Sequence, residues 1–297
     1  MQTLFEHAKS GVPYNQLALE IVYHAGYPGN HMDQGSHPTC SVAVLEKEVF
    51  SKNPAEAADM IVSAATKMKW VDPHNKTITI DNPDSLKPGS EEQKWPPEDG
   101  IRTYDSQLFQ LVALNDVGQH ESIPKYYDDA VTYAFAPFGL HWPWKTRQQY
   151  WVDATTGKSP GAFEGLETSA VEQEAERLLA KTRQVVSIAS DDPDDANVAH
   201  VATTSDLRKV LFKIKQDKDF PIMVAVNADN YAIGDEPKVL SYIDSLLGNI
   251  IPNHVITVEN YDSQTDRVAI RNQWGKDFNR VISTHDLFFA MGGSLFK

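Results

Sequence analysis

The single cysteine of the chain, Cys40, stands where a thiol can act as a nucleophile. A polar loop of residues 33–39 leads into it, and the following apolar run predicts a helix that starts at Cys40, with Thr39 as its N-cap. The N–H groups and the dipole at a helix N-terminus stabilise a thiolate, the nucleophilic form of cysteine. Gln34, six positions upstream, offers an amide donor for an oxygen bound beside the sulfur. These residues predict a nucleophilic cysteine with an oxyanion donor, which needs a histidine as its base; an inert buried thiol is the alternative.

A predicted hairpin near the C-terminus supplies the histidine. Residues 255–261 and 267–272 have strand patterns on either side of a polar turn. His254 opens the first strand and Asn272 ends the second, so pairing of the strands brings the two side chains together. Asn272 would then hold the tautomer and direction of the imidazole, and Trp274 would shield their hydrogen bond from water. Ordinary polar residues of a hairpin and simple core packing of Trp274 are the alternative interpretations.

The order Gln34, Cys40, His254, Asn272 resembles the papain-like cysteine peptidases. The resemblance covers residues 34–67 and 205–291 and includes the Asn-Gln-Trp-Gly run at residues 272–275. It implies an α+β fold of two lobes with the substrate in the cleft between them. Residues 1–204 would form a helical lobe that carries the Cys40 helix and a long inserted segment at about 69–204. Residues 205–297 would form a β-rich lobe that carries His254 and Asn272.

The resemblance also implies a reaction, the cleavage of peptide bonds through an acyl-enzyme. The thiolate of a Cys40–His254 ion pair attacks a carbonyl, while the Gln34 amide and the Cys40 N–H hold the oxyanion. His254 then protonates the leaving amine and water releases the acyl group. The substrate would be a protein or peptide, and no cofactor is implied. Two alternatives stay open: an amidase, deamidase or transglutaminase-like acyltransferase of an effector or toxin that uses the same residues, and a catalytically inactive binding module.

Other parts of the chain match the family less well, which leaves the substrate specificity open. Ser41 replaces the aromatic residue that follows the nucleophile in papain, and no part of the 69–204 segment matches. His37 is expected to be a solvated loop histidine. The loose spacing of His24, His31 and Asp33 does not predict a metal site, because no second cluster completes it.

The remaining pattern predicts the elements that position these residues. Residues 3–26 are expected to form two short helices. Residues 1–32 as a whole are expected to be a fixed part of the first lobe, with a propeptide as the alternative. The proline-rich stretch around 83–100 is expected to be exposed, the acidic run 191–195 to be a solvated loop, and the aromatic residues between 126 and 151 to fill the core. Further helices are predicted from Pro54 (with Asn53 as N-cap) to about Met68 and at 103–114, 164–187, 206–217 (capped by Thr204 or Ser205) and 237–247; further strands are predicted at 77–80 and 221–226.

The composition excludes several classes of protein. The 297 residues carry 27 basic and 41 acidic side chains, a net charge of −14 with no basic run, which disfavours binding to nucleic acid. No signal peptide and no apolar window of about 18 residues is present, so no membrane association is expected. A single cysteine allows no internal disulfide, which indicates a reducing compartment such as the cytoplasm, or delivery by a non-classical route. The oligomeric state is not predicted.

Overall fold

The computed structural model describes residues 2–134, 144–159, 161–163, 165–166, 168–179, 185–187, 198–227 and 254–292. The chain mixes helices and strands, in agreement with the expected α+β class. It divides into two compact units, the first made of residues 1–166 and 177–180 and the second of residues 167–176 and 181–297. This division falls earlier in the chain than the expected boundary after residue 204, because residues 185–187 and 198–200 form strands in the sheet of the second unit.

The first unit is built around a helical core. Its helices are α1 (Gln2–His7), α2 (Tyr14–Gly26), α3 (Cys40–Lys52), α4 (Pro54–Lys67) and α5 (Tyr104–His120). The two short N-terminal helices, the start of α3 at Cys40 and the break before Pro54 agree with the sequence pattern. Asn53 caps α4, since its side chain accepts a hydrogen bond from the Glu56 N–H. Helix α5 is longer than the predicted 103–114 and is buried from residue 104 to residue 118.

Two small antiparallel sheets complete the first unit. Strands β1 (Lys69–Val71) and β2 (Thr77–Thr79) form a hairpin, and β2 matches the predicted strand. Strands β3 (Lys125–Ala134), β4 (Trp144–Asp153) and β5 (Gly161–Ala162) form a three-stranded sheet that the sequence did not predict. The rings of Tyr127, Trp151 and Phe163 pack edge to face on one another at centroid distances of 5.1 to 5.8 Å. Tyr127 is buried and Trp151 is partly buried, in keeping with the core role expected for the aromatic residues between 126 and 151. Phe163 lies outside that range and is buried with them.

The proline-rich stretch at 83–100 is exposed over much of its length, as the sequence predicts. Ser85 and Leu86, in a 3₁₀-helix at Pro83–Leu86, are nevertheless buried, and so is Glu92. Proline and charged residues indicate the absence of regular structure, which does not decide the exposure of each side chain.

The second unit contains a six-stranded mixed sheet in the order β11-β10-β9-β8-β6-β7. Its strands are β6 (Val185–Ser187), β7 (Val198–His200), β8 (Ile222–Val226), β9 (His254–Asp262), β10 (Arg267–Arg271) and β11 (Arg280–Ser283). Strands β9 and β10 form the predicted antiparallel hairpin, with a register shift between Ala269 and Ile270. Leu207, Val224 and Ile256 belong to the apolar core of this unit.

The described helices of the second half of the chain are α6 (Thr168–Leu179), α7 (Thr204–Asp217) and α8 (Thr284–Ala290). The predicted helix 164–187 is too long at its C-terminal end, because residues 185–187 pair in the sheet as β6, a state that β-branched Val185 and Val186 favour. The cap of α7 is Thr203, one residue before the predicted position. The predicted helix at 237–247 and the acidic loop at 191–195 lie outside the described residues.

None of the helices in the described residues is both long and apolar enough to cross a bilayer.

Candidate functional site

Cys40 is the first residue of α3, as the sequence predicts. It is partly exposed, whereas the ten residues that follow it, 41–50, are all buried. Thr39 takes the N-cap position, but its hydroxyl makes no capping hydrogen bond. No side-chain cap therefore occupies the donors of the first turn next to the sulfur, and this is the environment that stabilises an anion at a helix start.

Gln34 is buried in the loop that leads to Cys40. Its side-chain Nε2 donates to the backbone oxygen of His37 at 2.7 Å, and the His37 N–H donates to the backbone oxygen of Gln34 at 3.3 Å. The amide thus uses one of its two N–H bonds to close its own loop. The second N–H is left for a ligand, so the arrangement is compatible with the expected oxyanion donor.

His37 is not the solvated loop histidine that the sequence predicted. The residue is buried, and its Nε2 lies 3.2 Å from Oε1 of Glu92. The prediction was wrong because residues 91–102, distant in sequence, cover this side of the loop.

His254 and Asn272 meet in the second unit as the hairpin predicts. Nε2 of His254 lies 3.0 Å from Oδ1 of Asn272, and both residues are buried. Oδ1 also accepts the Trp274 N–H at 3.1 Å, and the Asn272 N–H donates to the Asn279 side chain at 2.9 Å. Because an amide oxygen only accepts, Nε2 of the imidazole must carry the hydrogen, and Nδ1 of the neutral ring is then the basic nitrogen.

Trp274 covers this pair. Its ring stacks on the imidazole of His254 with a centroid distance of 4.2 Å and an interplanar angle of 19°, and Phe278 packs against its edge. Burial lowers the pKa of His254 from 6.5 to about 4, and the hydrogen bond to Asn272 opposes that fall. The imidazole of His254 is therefore neutral at pH 7, the state in which Nδ1 can accept a proton, and an adjacent negative charge would raise its pKa.

Two clusters of described residues bring three possible metal-ligand atoms within 4.8 Å of one another: His31, Asp33 and Asp99, and Asp72, Asp116 and His120. Some residues of both clusters also make contacts within the protein. Gly100 N–H donates to the Asp33 carboxylate at 2.8 Å, and Nε2 of His120 lies 3.0 and 3.2 Å from the carboxylates of Asp72 and Asp116.

A buried ionisable cluster lies behind α3, and the sequence did not indicate it. Nδ1 of His24 lies 2.6 Å from Asp105, whose backbone N–H donates to Glu20, while Ser106 donates to Glu46. Burial raises the pKa of Glu20 to about 8 and that of Glu46 to about 7. Burial alone would lower the pKa of His24, but the charge and hydrogen bond of Asp105 together with the charges of Glu46 and Glu20 outweigh it and raise the value to about 9. His24 is therefore held in an internal ion pair with Asp105.

The structure brings the predicted site residues together in two groups. Gln34 and Cys40 lie on one loop and helix of the first unit, and His254, Asn272 and Trp274 form one cluster in the second unit. Comparison of the chain with protein-family models, with curated proteins and with solved structures finds no match.

Proposed function

We propose that this protein is a thiol-dependent hydrolase that cleaves peptide or amide bonds, with Cys40 as the nucleophile and His254 as its base. The observation that carries the proposal is the His254–Asn272 pair, which fixes the hydrogen on Nε2 and leaves Nδ1 as a desolvated base. In this proposal the first unit is the helical lobe, and the second unit the β-rich lobe, of a papain-like fold. The proposal requires the Cys40 thiol to reach Nδ1 of His254.

The first half of the reaction forms a thioester. Nδ1 of His254 takes the thiol proton as Sγ of Cys40 attacks the substrate carbonyl carbon, and the carbonyl electrons move onto oxygen. The Cys40 N–H and the second N–H of Gln34 bind this oxyanion. When the oxyanion collapses, the C–N bond breaks and His254 returns the proton to the leaving amine.

The second half releases the acyl group. Water gives a proton to Nδ1 of His254 and attacks the thioester carbonyl, and collapse of that intermediate expels the thiolate. The proton returns from His254 to sulfur, and a carboxylic acid leaves. A neutral imidazole that takes the proton during attack fits the low pKa of His254 better than the preformed ion pair expected from the sequence.

The decisive test is the rate at which iodoacetamide alkylates Cys40, measured by mass spectrometry. Because the chain has a single cysteine, Cys40→Ser gives the background directly. Fast alkylation that His254→Ala slows at least tenfold, with the exposed His285→Ala as the matched control, supports the proposal. Alkylation at the rate of a free thiol, or at a rate that His254→Ala does not change, would contradict the proposal and indicate a catalytically inactive binding module.

A diverse peptide library identifies the reaction. New peptide termini that disappear with Cys40→Ser mean hydrolysis of peptide bonds. Conversion of side-chain amides to carboxylates, or crosslinks between peptides, would instead show the deamidase or transglutaminase-like reaction, which uses the same thiolate and oxyanion donors.

A further inference from the structure

The loop before Cys40 is held by a second segment, residues 91–102, at three successive points. The Gly100 N–H donates to Asp33 at 2.8 Å, Ser36 Oγ donates to Glu91 at 2.6 Å, and His37 lies against Glu92. The loop residue between these contacts is Gly35, with φ +59°. A Cβ at Gly35 would stand 2.2 Å from a Glu91 side-chain oxygen and 2.9 Å from the backbone nitrogen of Arg102. Only glycine therefore allows the loop to lie this close to residues 91–102.

Behind His37 lies a buried array of charges. Arg102 donates from Nε to Glu92 at 2.8 Å and lies 2.9 Å from Asp129 through its NH2 group; all three side chains are at most 1% exposed. The two carboxylates raise the pKa of Arg102 despite its burial, so it stays charged. A guanidinium in this geometry fixes the Glu92 carboxylate in one position, and Oε1 of that carboxylate lies 3.2 Å from Nε2 of His37.

His37, held in place by Glu92, hydrogen-bonds in turn to Gln34. Its backbone oxygen accepts the Gln34 side-chain amide at 2.7 Å, and its N–H donates to the Gln34 backbone oxygen at 3.3 Å. The direction of the amide plane of Gln34 therefore depends on where His37 stands. The chain of contacts runs from Arg102 through Glu92 and His37 to Gln34, entirely within the first unit.

We infer that Glu92, held by Arg102, is a positioning residue that acts through His37 to direct the free N–H of Gln34 at the oxyanion of the proposed reaction. This inference rests on the proposed function. It explains why a buried ion array borders the loop before Cys40, and it assigns a role to a segment that lies outside the resemblance to papain-like peptidases.

Two small reagents that react with Cys40 distinguish positioning of the Gln34 amide from general destabilisation of the fold. The reaction with p-nitrophenyl acetate passes through an oxyanion, whereas alkylation by iodoacetamide is a direct displacement that forms none. Glu92→Gln keeps the size of the side chain and removes its charge, leaving Arg102 paired with Asp129. We expect it to slow release of p-nitrophenolate about tenfold, less than the ~10²–10³ for complete loss of an oxyanion donor. The alkylation rate should stay within about twofold, since no oxyanion forms in that reaction.

A double-mutant cycle tests the route through Gln34. Gln34→Ala should slow the ester reaction at least as much as Glu92→Gln, and the double variant should be no slower than Gln34→Ala alone, because Glu92 acts only through that amide. The exposed Glu98→Gln is the matched control in the same segment. Additive losses, or equal losses with both probes, would overturn the inference and indicate general destabilisation.

A second variant keeps the test valid if Glu92→Gln does not fold. His37→Ala removes the imidazole link but keeps the backbone acceptor, and it should show the same selective loss. His37→Gln, whose amide can still donate toward Glu92, should restore part of the ester rate, and failure of this rescue would count against the inference. Failure of the proposed function itself would be seen separately, as alkylation that does not depend on His254.

Discussion

Replacing Asn272 with alanine removes the acceptor that holds the imidazole of His254. The Nε2–H of His254 loses its partner at 3.0 Å, and the Trp274 N–H loses one at 3.1 Å. The surrounding side chains offer little room for water, since His254 is 3% exposed and Asn272 is 2% exposed. An unpaired buried donor costs about 1–3 kcal/mol, so we expect the free energy of unfolding to fall by about that amount.

The same change alters the acid–base behaviour of His254. Burial has lowered its pKa to about 4, and the hydrogen bond that its ring donates to Asn272 is the contact that opposes this. Asn272→Ala should therefore lower the pKa further. Asn272→Asp should do the reverse, because a carboxylate in contact with the ring favours the imidazolium and raises the pKa of His254 by about 1 to 3. The two variants move the pKa in opposite directions from one position.

Three measurements follow this prediction. Urea unfolding gives the change in stability, an NMR titration of the His254 ring gives its pKa, and the alkylation rate of Cys40 gives the reactivity of the thiol. With the ring no longer held in place, the alkylation rate of Asn272→Ala should fall about 10- to 100-fold. The exposed turn residue Ser263 supplies a matched control, since Ser263→Ala lies in the same hairpin.

Two outcomes would refute the reasoning. If Asn272→Ala matched Ser263→Ala in stability, in the His254 titration and in alkylation rate, the hydrogen bond would not orient the base. If Asn272→Asp lowered the pKa of His254, the assignment of Asn272 as the neighbour of the ring would be wrong.

Three further predictions test the surroundings of the site. Trp274→Leu exposes the ring of His254 to water, so an NMR titration should show the pKa of this histidine rising from about 4 toward 6.5. Burial raises the pKa of Glu46 from 4.5 to about 7, so the folded protein binds a proton at Glu46 between these pH values. The stability that this proton contributes is complete below pH 4.5 and is lost as the pH rises through 7. In urea unfolding, Glu46→Gln should therefore gain stability relative to the native chain between pH 5 and pH 8. Thr39→Val removes a buried hydroxyl that makes no capping bond and should be neutral or stabilising in thermal unfolding, whereas Thr203→Val, which removes the capping bond of α7, should cost about 1 kcal/mol.

The stability of the native chain at acid pH depends on His254 in the opposite sense to Glu46. The folded pKa of His254 is depressed, so the stability it contributes is complete above pH 6.5 and is lost as the pH falls toward 4. A depression of this size corresponds to about 3 kcal/mol across that range. Since Glu46 contributes most at low pH, the two groups partly cancel in the native chain, and each dependence becomes visible only in the single variants.

Local patterns in the sequence were sufficient to predict the helix and the hairpin that carry the candidate residues. The start of α3 at Cys40, its end before Pro54 and the β9–β10 hairpin each depend on a few neighbouring residues: a loop followed by an apolar run, a proline, or alternation around a polar turn. The pairing of His254 with Asn272 follows from the same information, because a hairpin relates its two ends by its own register. These signals act over short stretches, so they can be read without the rest of the chain.

Only the tertiary structure decided which polar residues are buried and what they bind. His37, Glu92 and Arg102 look like surface residues in the sequence, yet they are buried together because Arg102 pairs with Glu92 and His37 lies 3.2 Å from the same carboxylate. The strands at 125–134 and 144–153 were also missed, because they are held by pairing with each other and by packing of α5 on the first of them, contacts that local sequence does not show. Burial is a property of the assembled core, and for charged side chains it depends on partners that sequence spacing does not reveal.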